Sequence, residues 1–77
     1  MNKLRREALE KISTSIEDLK SDLEMLRDEE QEYLDNMPES LQSSDKYSTA
    51  ENAVSNMDDA INNLDDVVNS ISNSVES

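Results

Sequence analysis

The sequence predicts an all-α protein: an antiparallel two-helix hairpin with a short helical turn at its connection, assembling further into a four-helix bundle or larger helical oligomer. Three observations carry this reading. Apolar residues recur at alternating three- and four-residue steps on both sides of a central break, which is the signature of a helical seam. The break holds the only Pro. The 77 residues contain no Gly, Cys, Trp or Phe and only two aromatics, so aliphatic stripes must do the burying.

The first helix is expected over about residues 3–36. Its stripe runs Leu9, Ile12, Ile16, Leu19, Leu23, Leu26, Tyr33 and Met37, with Glu30 filling the one polar slot. Thr14-Ser15-Ile16-Glu17 has the form of a capping box, which would signal a new helix start. The stripe passes from Ile12 to Ile16 without losing phase, however, so one continuous helix is predicted. The connection, about 37–45, follows from Pro38: the residue before a proline is pushed out of helical geometry, and a proline has no amide donor for a helix interior. Pro38 and Glu39 suit the first turn of a short helical segment, from which Leu41 can fold back onto the seam.

The second helix is expected over about 46–74. Its start falls either at the capping box Ser48-Thr49-Ala50-Glu51 or at the earlier cap Ser44. Tyr47, Ala50, Val54, Met57, Ile61, Leu64, Val68, Ile71 and Val75 alternate three and four without a break. Ala53, Ala60 and Val67 widen this stripe beyond what a two-helix seam needs, whereas the matching flank of the first helix is mostly polar. That widening is expected to form the oligomer interface, with a dimer favoured; docking of a partner is the alternative use of the same stripe. Asn and Ser crowd the outer positions and weaken helix formation, so fraying is expected after about Ile71. Folding back near residue 41 brings Lys20 toward Asp65 and Arg27 toward Asp58, rim pairs that choose register more than they stabilise.

Seven bases against nineteen acids give a net charge of −12, which argues against direct binding to bare nucleic acid or anionic membrane. With no run near the ~20 apolar residues of a span and no apolar stretch after the basic start, a soluble cytoplasmic protein is expected. Without His or Cys there is no ready imidazole base or thiolate, and the Glu-x-x-His pattern of bundle di-metal sites is absent, so neither enzyme, metal nor cofactor is expected. Glu30 reads as a register-setting residue, and Asp58-Asp59 to Asn62-Asn63 lacks the Gly and spacing of a calcium loop.

Two charge patterns remain. Asp28, Glu29, Glu32 and Asp35 belong to an acidic block free of bases, and Asp58-Asp59 recur seven residues later as Asp65-Asp66. Such negative ridges on a rod suit a basic surface on another protein, including a cleft built for nucleic acid. At the other end, Lys3, Arg5, Arg6 and Lys11 give a local excess of positive charge. If oligomerisation gathers these bases they form a pocket for an anionic nucleotide, since Arg offers paired donors to phosphate; the plainer reading is that they offset neighbouring acids, as in Glu7 to Lys11.

The stretch from Glu29 to Gln42, EEQEYLDNMPESLQ, followed by an acidic heptad helix, resembles a poorly characterised group of short helical proteins encoded in Firmicute genomes and prophages. The distinctive part of the resemblance is the turn, about a fifth of the chain. It implies a bacterial or phage setting and transfers no catalytic residue or ligand. Together with the charge pattern it points to a non-enzymatic acidic interaction module, a phage or prophage inhibitor of a host defence or nucleic-acid enzyme. A nucleotide-sequestering oligomer and a structural helical assembly factor are the alternatives.

Overall fold

A computed structural model describes residues 1–76. Two helices, α1 (Lys3–Asp35) and α2 (Asp45–Glu76), run antiparallel and are joined through a one-turn 3-10 helix at Glu39–Leu41. At ~1.5 Å per residue, 33 and 32 helical residues make rods of about 50 Å, and the hairpin extends 59 × 15 × 12 Å. Its radius of gyration is 17.5 Å, against about 11.5 Å for a compact chain of this length. This is a rod with almost no interior.

Both ends of α1 and the start of α2 have identifiable causes. Asn2 begins α1: its Oδ1 accepts from the Arg5 amide at 2.8 Å, satisfying one of the donors that a helix start leaves open. No break occurs at Thr14, whose hydroxyl donates back to the Glu10 carbonyl at 3.1 Å within the helix. Pro38, at φ −58° and ψ 147°, ends α1 by holding the chain extended. The Leu41 amide then donates to the Pro38 carbonyl at 2.9 Å, closing the 3-10 turn. Of the two available starts for α2, Ser44 is used: its Oγ accepts from the Tyr47 amide at 3.4 Å and donates to the Leu41 carbonyl. The Asn- and Ser-rich tail is helical through Glu76, beyond the fraying expected after Ile71, with the Ser74 hydroxyl bonded to the Ser70 carbonyl.

The core lies at the closed end. Leu34, Met37, Ala50 and Val54 are the buried apolar residues, and among the described residues no side chain is completely enclosed. Met37 takes the place beneath the turn that was expected of Leu41, which remains 46% exposed. Residue 37 directly follows the last turn of α1 and so inherits its inward direction, while Leu41 sits on a 3-10 turn that carries it past the seam. Toward the open end, Leu9, Ile16 and Leu23 of α1 and Ile61, Leu64, Val68 and Ile71 of α2 are half-buried. Burial thus declines from the turn to the termini, and local opening is easiest at the open end.

The seam of α2 is the one read from the sequence. That of α1 is rotated. Leu9, Ile16 and Leu23 face inward as expected, but Ile12, Leu19, Leu26 and Tyr33 are each more than half exposed. Their places beside α2 go to Ser13, Lys20, Arg27 and Leu34. The contact line on α1 is thus shifted by one residue at every second seam position, whereas on α2 both seam positions are covered. The line chosen lets the Lys20 and Arg27 stems cover apolar surface while their charged heads reach α2.

Candidate interaction surfaces

Ion pairs fix the register of the hairpin. Arg27 Nε donates to Asp58 Oδ1 at 2.8 Å, with Nη2 on Oδ2 at 3.4 Å, and Lys20 Nζ stands 2.5 Å from Asp65 Oδ1. Both pairs expected from the sequence therefore form. The hydrogen bond to Asp65 raises the Lys20 pKa above its ordinary value, and that to Asp58 does the same for Arg27. Lys20 also contacts Glu24 at 3.7 Å, and Arg27 contacts Asp28 at 3.2 Å.

These contacts sort the acidic residues read from the sequence. Asp58 and Asp65 are matched by bases across the hairpin, while Asp28 shares Arg27 and Glu24 shares Lys20, so two bases face four carboxylates and the cluster keeps part of its negative charge. Asp35 accepts a hydrogen bond from Gln31 Nε2 at 2.8 Å and remains an uncompensated charge. Glu29, Glu32, Asp59 and Asp66 are exposed, and among the described residues none of them has an ion-pair partner. At 100° per residue, Glu32 points away from α2, and Asp59 and Asp66 point away from α1. Two outward negative edges result, separated by the ion-paired strip between the helices.

At the turn end the acidic block borders an apolar depression of about 510 Å³, open to solvent, lined by Tyr33, Asn36, Met37, Pro38 and Leu41, with the carboxylates of Glu29 and Glu32 and one base, Lys46 of α2, among its lining residues. The pairing of an apolar floor with a carboxylate rim suits a long basic side chain, whose stem is apolar and whose head is cationic. Sequence reasoning missed this depression because it depends on where the 3-10 turn leaves Leu41.

The four amino-terminal bases are not brought together. At helical spacing Lys3, Arg5, Arg6 and Lys11 point in four different directions around α1. The Arg6 guanidinium donates to the Met1 carbonyl at 2.8 Å, and the expected pair between Glu7 and Lys11 does not form. Lysine side chains are long and mobile, and an exposed i,i+4 pair gives little return for ordering both partners.

Ala53 and Ala60 are half-buried, and Val67 is 43% exposed. They lie on the flank of α2 opposite to Asp58 and Asp65. Among the described residues no cluster of His, Cys, Asp or Glu has the arrangement of a metal site, and no helix is long and apolar enough to cross a membrane. No known protein family, curated protein or solved structure matches the chain.

Proposed function

We propose that the hairpin is a non-enzymatic interaction module that docks on a basic surface of another protein through its turn-end acidic block and outward negative edges. The observation that carries this reading is an apolar depression at which two carboxylates, Glu29 and Glu32, outnumber the single base Lys46, beside a block from Asp28 to Glu39 that holds no base. A cationic side chain entering there gains both burial and charge pairing, and the remaining negative edges steer a basic partner toward it. The resemblance of the turn to short helical proteins of Firmicute genomes and prophages sets the proposal in a bacterial cytoplasm, with a host defence or nucleic-acid enzyme as the target and inhibition as the outcome.

Affinity purification of the full chain from a bacterial host, with mass spectrometry of what it retains, tests this directly. The expected result is a basic protein that elutes as salt is raised and is lost when Glu29→Gln and Glu32→Gln are combined with Asp59→Asn and Asp66→Asn. Retention unaffected by salt and by these neutralisations would refute the reading. Nucleotide sequestration receives less support, because the four amino-terminal bases diverge.

A further inference from the structure

The rows left exposed on the two helices lie on the same face. Tyr33 of α1 borders one surface depression with Lys46, Thr49 and Ala50 of α2, whereas the ion pairs of Lys20 and Arg27 occupy the opposite side of the seam. Residues seven apart return to one side of a helix, so Ile12, Leu19 and Leu26 follow Tyr33, and Ala53, Ala60 and Val67 follow Lys46. Ile12 is 51% exposed, Leu19 63%, Leu26 56%, Tyr33 51% and Val67 43%. From Lys46 to Ser74 this flank of α2 carries no acid, its remaining positions being Thr49, Asn56, Asn63 and Ser70, although the chain holds nineteen acids. On α1, Asp22 and Glu29 come near the face at its outer margin, and at its turn end Glu30 and, from the start of α2, Asp45 line the same depression as Tyr33, with Lys46 beside them.

We infer that this face is covered by a second copy of the chain, with both turns at the same end. Its dimensions and its register identify the occupant. The chain exposes 5697 Å², against about 4,700 Å² for a compact monomer of its mass, an excess of roughly 1,000 Å². A whole side of the hairpin, 59 Å long and 15 Å wide, projects to roughly 900 Å², close to the about 800 Å² that each partner contributes to an interface of standard size, and the apolar row from Ile12 to Tyr33 takes up about 32 Å of that length.

The register adds self-complementarity. The pairs Lys20–Asp65 and Arg27–Asp58 each sum to 85, so residue i of α1 stands level with residue 85 − i of α2. Leu19 is therefore level with Val67, Leu26 with Ala60 and Tyr33 with Ala53, to within one residue. A two-fold axis parallel to the helices lays α1 of one copy over α2 of the other at unchanged level. Each large side chain then meets a smaller one, and every contact occurs twice, as an isologous interface requires. The alternative with turns at opposite ends sets large against large and small against small.

The two surfaces answer salt oppositely. Each copy carries −12, so screening strengthens the dimer while weakening a basic partner's hold on the acidic edges. Sedimentation equilibrium of the full chain is expected to give 2 × 8.7 kDa, with an affinity that rises several-fold from roughly 0.05 to 0.5 M salt. Leu26→Asp is expected to shift the mass to 8.7 kDa with little loss of helix by circular dichroism, whereas Met25→Asp, at an equally exposed site off this face, leaves the dimer intact. Because the chain has no Cys, a mixture of Leu26→Cys and Ala60→Cys chains reports the arrangement even if Leu26→Asp fails to fold. Mixed cross-links between positions 26 and 60, formed in preference to like-with-like ones, support the inference. A monomer at all salt concentrations, equal disruption by the two Asp variants, or a dimer that does not cross-link 26 to 60 overturns it, and none of these outcomes bears on partner binding by the acidic edges.

Discussion

Leu34 and Leu26 are separated by eight residues on one helix yet occupy opposite situations, and truncating each to Ala measures how much of the fold is held within a single hairpin. Leu34 is 8% exposed and packs beneath the turn; Leu26 is 56% exposed. Removing a fully buried leucine side chain down to its Cβ costs about 2–5 kcal/mol, from lost transfer energy and from the cavity left behind. Leu34→Ala is expected in the lower half of that range, about 2–3 kcal/mol, because a two-helix rod can close partly around the gap. Leu26→Ala removes less than half as much buried surface and leaves no enclosed cavity, so about 1 kcal/mol is expected in dilute solution. A chain of this length has a total stability of about 4–12 kcal/mol, which makes the first loss large and the second modest. Urea denaturation followed by helical circular dichroism, at a concentration low enough to suppress assembly, gives both values. Equal costs for the two substitutions under those conditions would mean that the helix is not rotated as described. At high concentration the cost of Leu26→Ala should grow, since assembly then buries what the single hairpin leaves exposed.

The remaining predictions concern the ends and the register. Ser44→Ala removes the cap of α2 and is expected to cost about 1 kcal/mol, read from the same urea midpoint, while Ser48→Ala at the unused start costs little. Arg27→Asp and Asp58→Arg should each reduce thermal stability, and the double exchange should recover most of the loss; no recovery would remove this pair from the register argument. Lys20 gains its raised pKa from the hydrogen bond to Asp65, with Glu24 adding to it. The folded value lies above the ordinary 10.5, so the pair's contribution is complete below about 10.5 and is lost as pH rises through the folded value. A melting series across alkaline pH should show a drop that Lys20→Met reduces; because the group is exposed, the drop is small. Hydrogen exchange should be slowest around Leu34, Ala50 and Val54 and faster toward Leu9 and Val75, following the decline in burial.

What the sequence made legible, and what it did not, divides along a physical line. The hairpin could be read because an unbroken three-four alternation and one proline admit few topologies, and the register could be read because two bases of α1 and two acids of α2 share a spacing of seven. In α2 the unbroken run from Tyr47 to Val75 marks the inward face, and both of its seam positions are covered by α1 although Ala53, Ala60 and Val67 widen the stripe to one side. In α1 the stripe was two positions wide. Heptad reasoning treats both positions as seam, yet in α1 the position of Ile12, Leu19, Leu26 and Tyr33 stays more than half exposed, and periodicity alone does not separate a seam position from one left for a further interface. The structure resolves this in favour of Lys20 and Arg27, whose long stems cover the helix contact and whose charges lock it, and so turns Ile12, Leu19, Leu26 and Tyr33 outward. That rotation was illegible because it depends on the relative positions of the two helices, not on the preference of either.

The same rotation bears on how the two surfaces coexist. Had α1 buried its whole apolar stripe, the molecule would present charge on every side, and at −12 it would repel its own copies everywhere. Instead, pairing Asp58 and Asp65 with Arg27 and Lys20 places an ion-paired strip on one side of the seam and frees an apolar, acid-poor face on the other. The uncompensated carboxylates Glu32, Asp59 and Asp66 lie outside the apolar face and would not be covered by a second copy, whereas Tyr33 lines both that face and the turn-end depression, so the two surfaces meet there. A dimer built this way carries both sets of negative edges on one longer-lived scaffold, so a partner with two basic sites meets a bivalent surface. Measuring partner affinity for the wild-type chain and for Leu26→Asp separates the contributions. Equal affinity for a single basic site combined with weaker binding to a two-site partner is the expected pattern, and an identical loss for both would show that the apolar face itself contacts the partner.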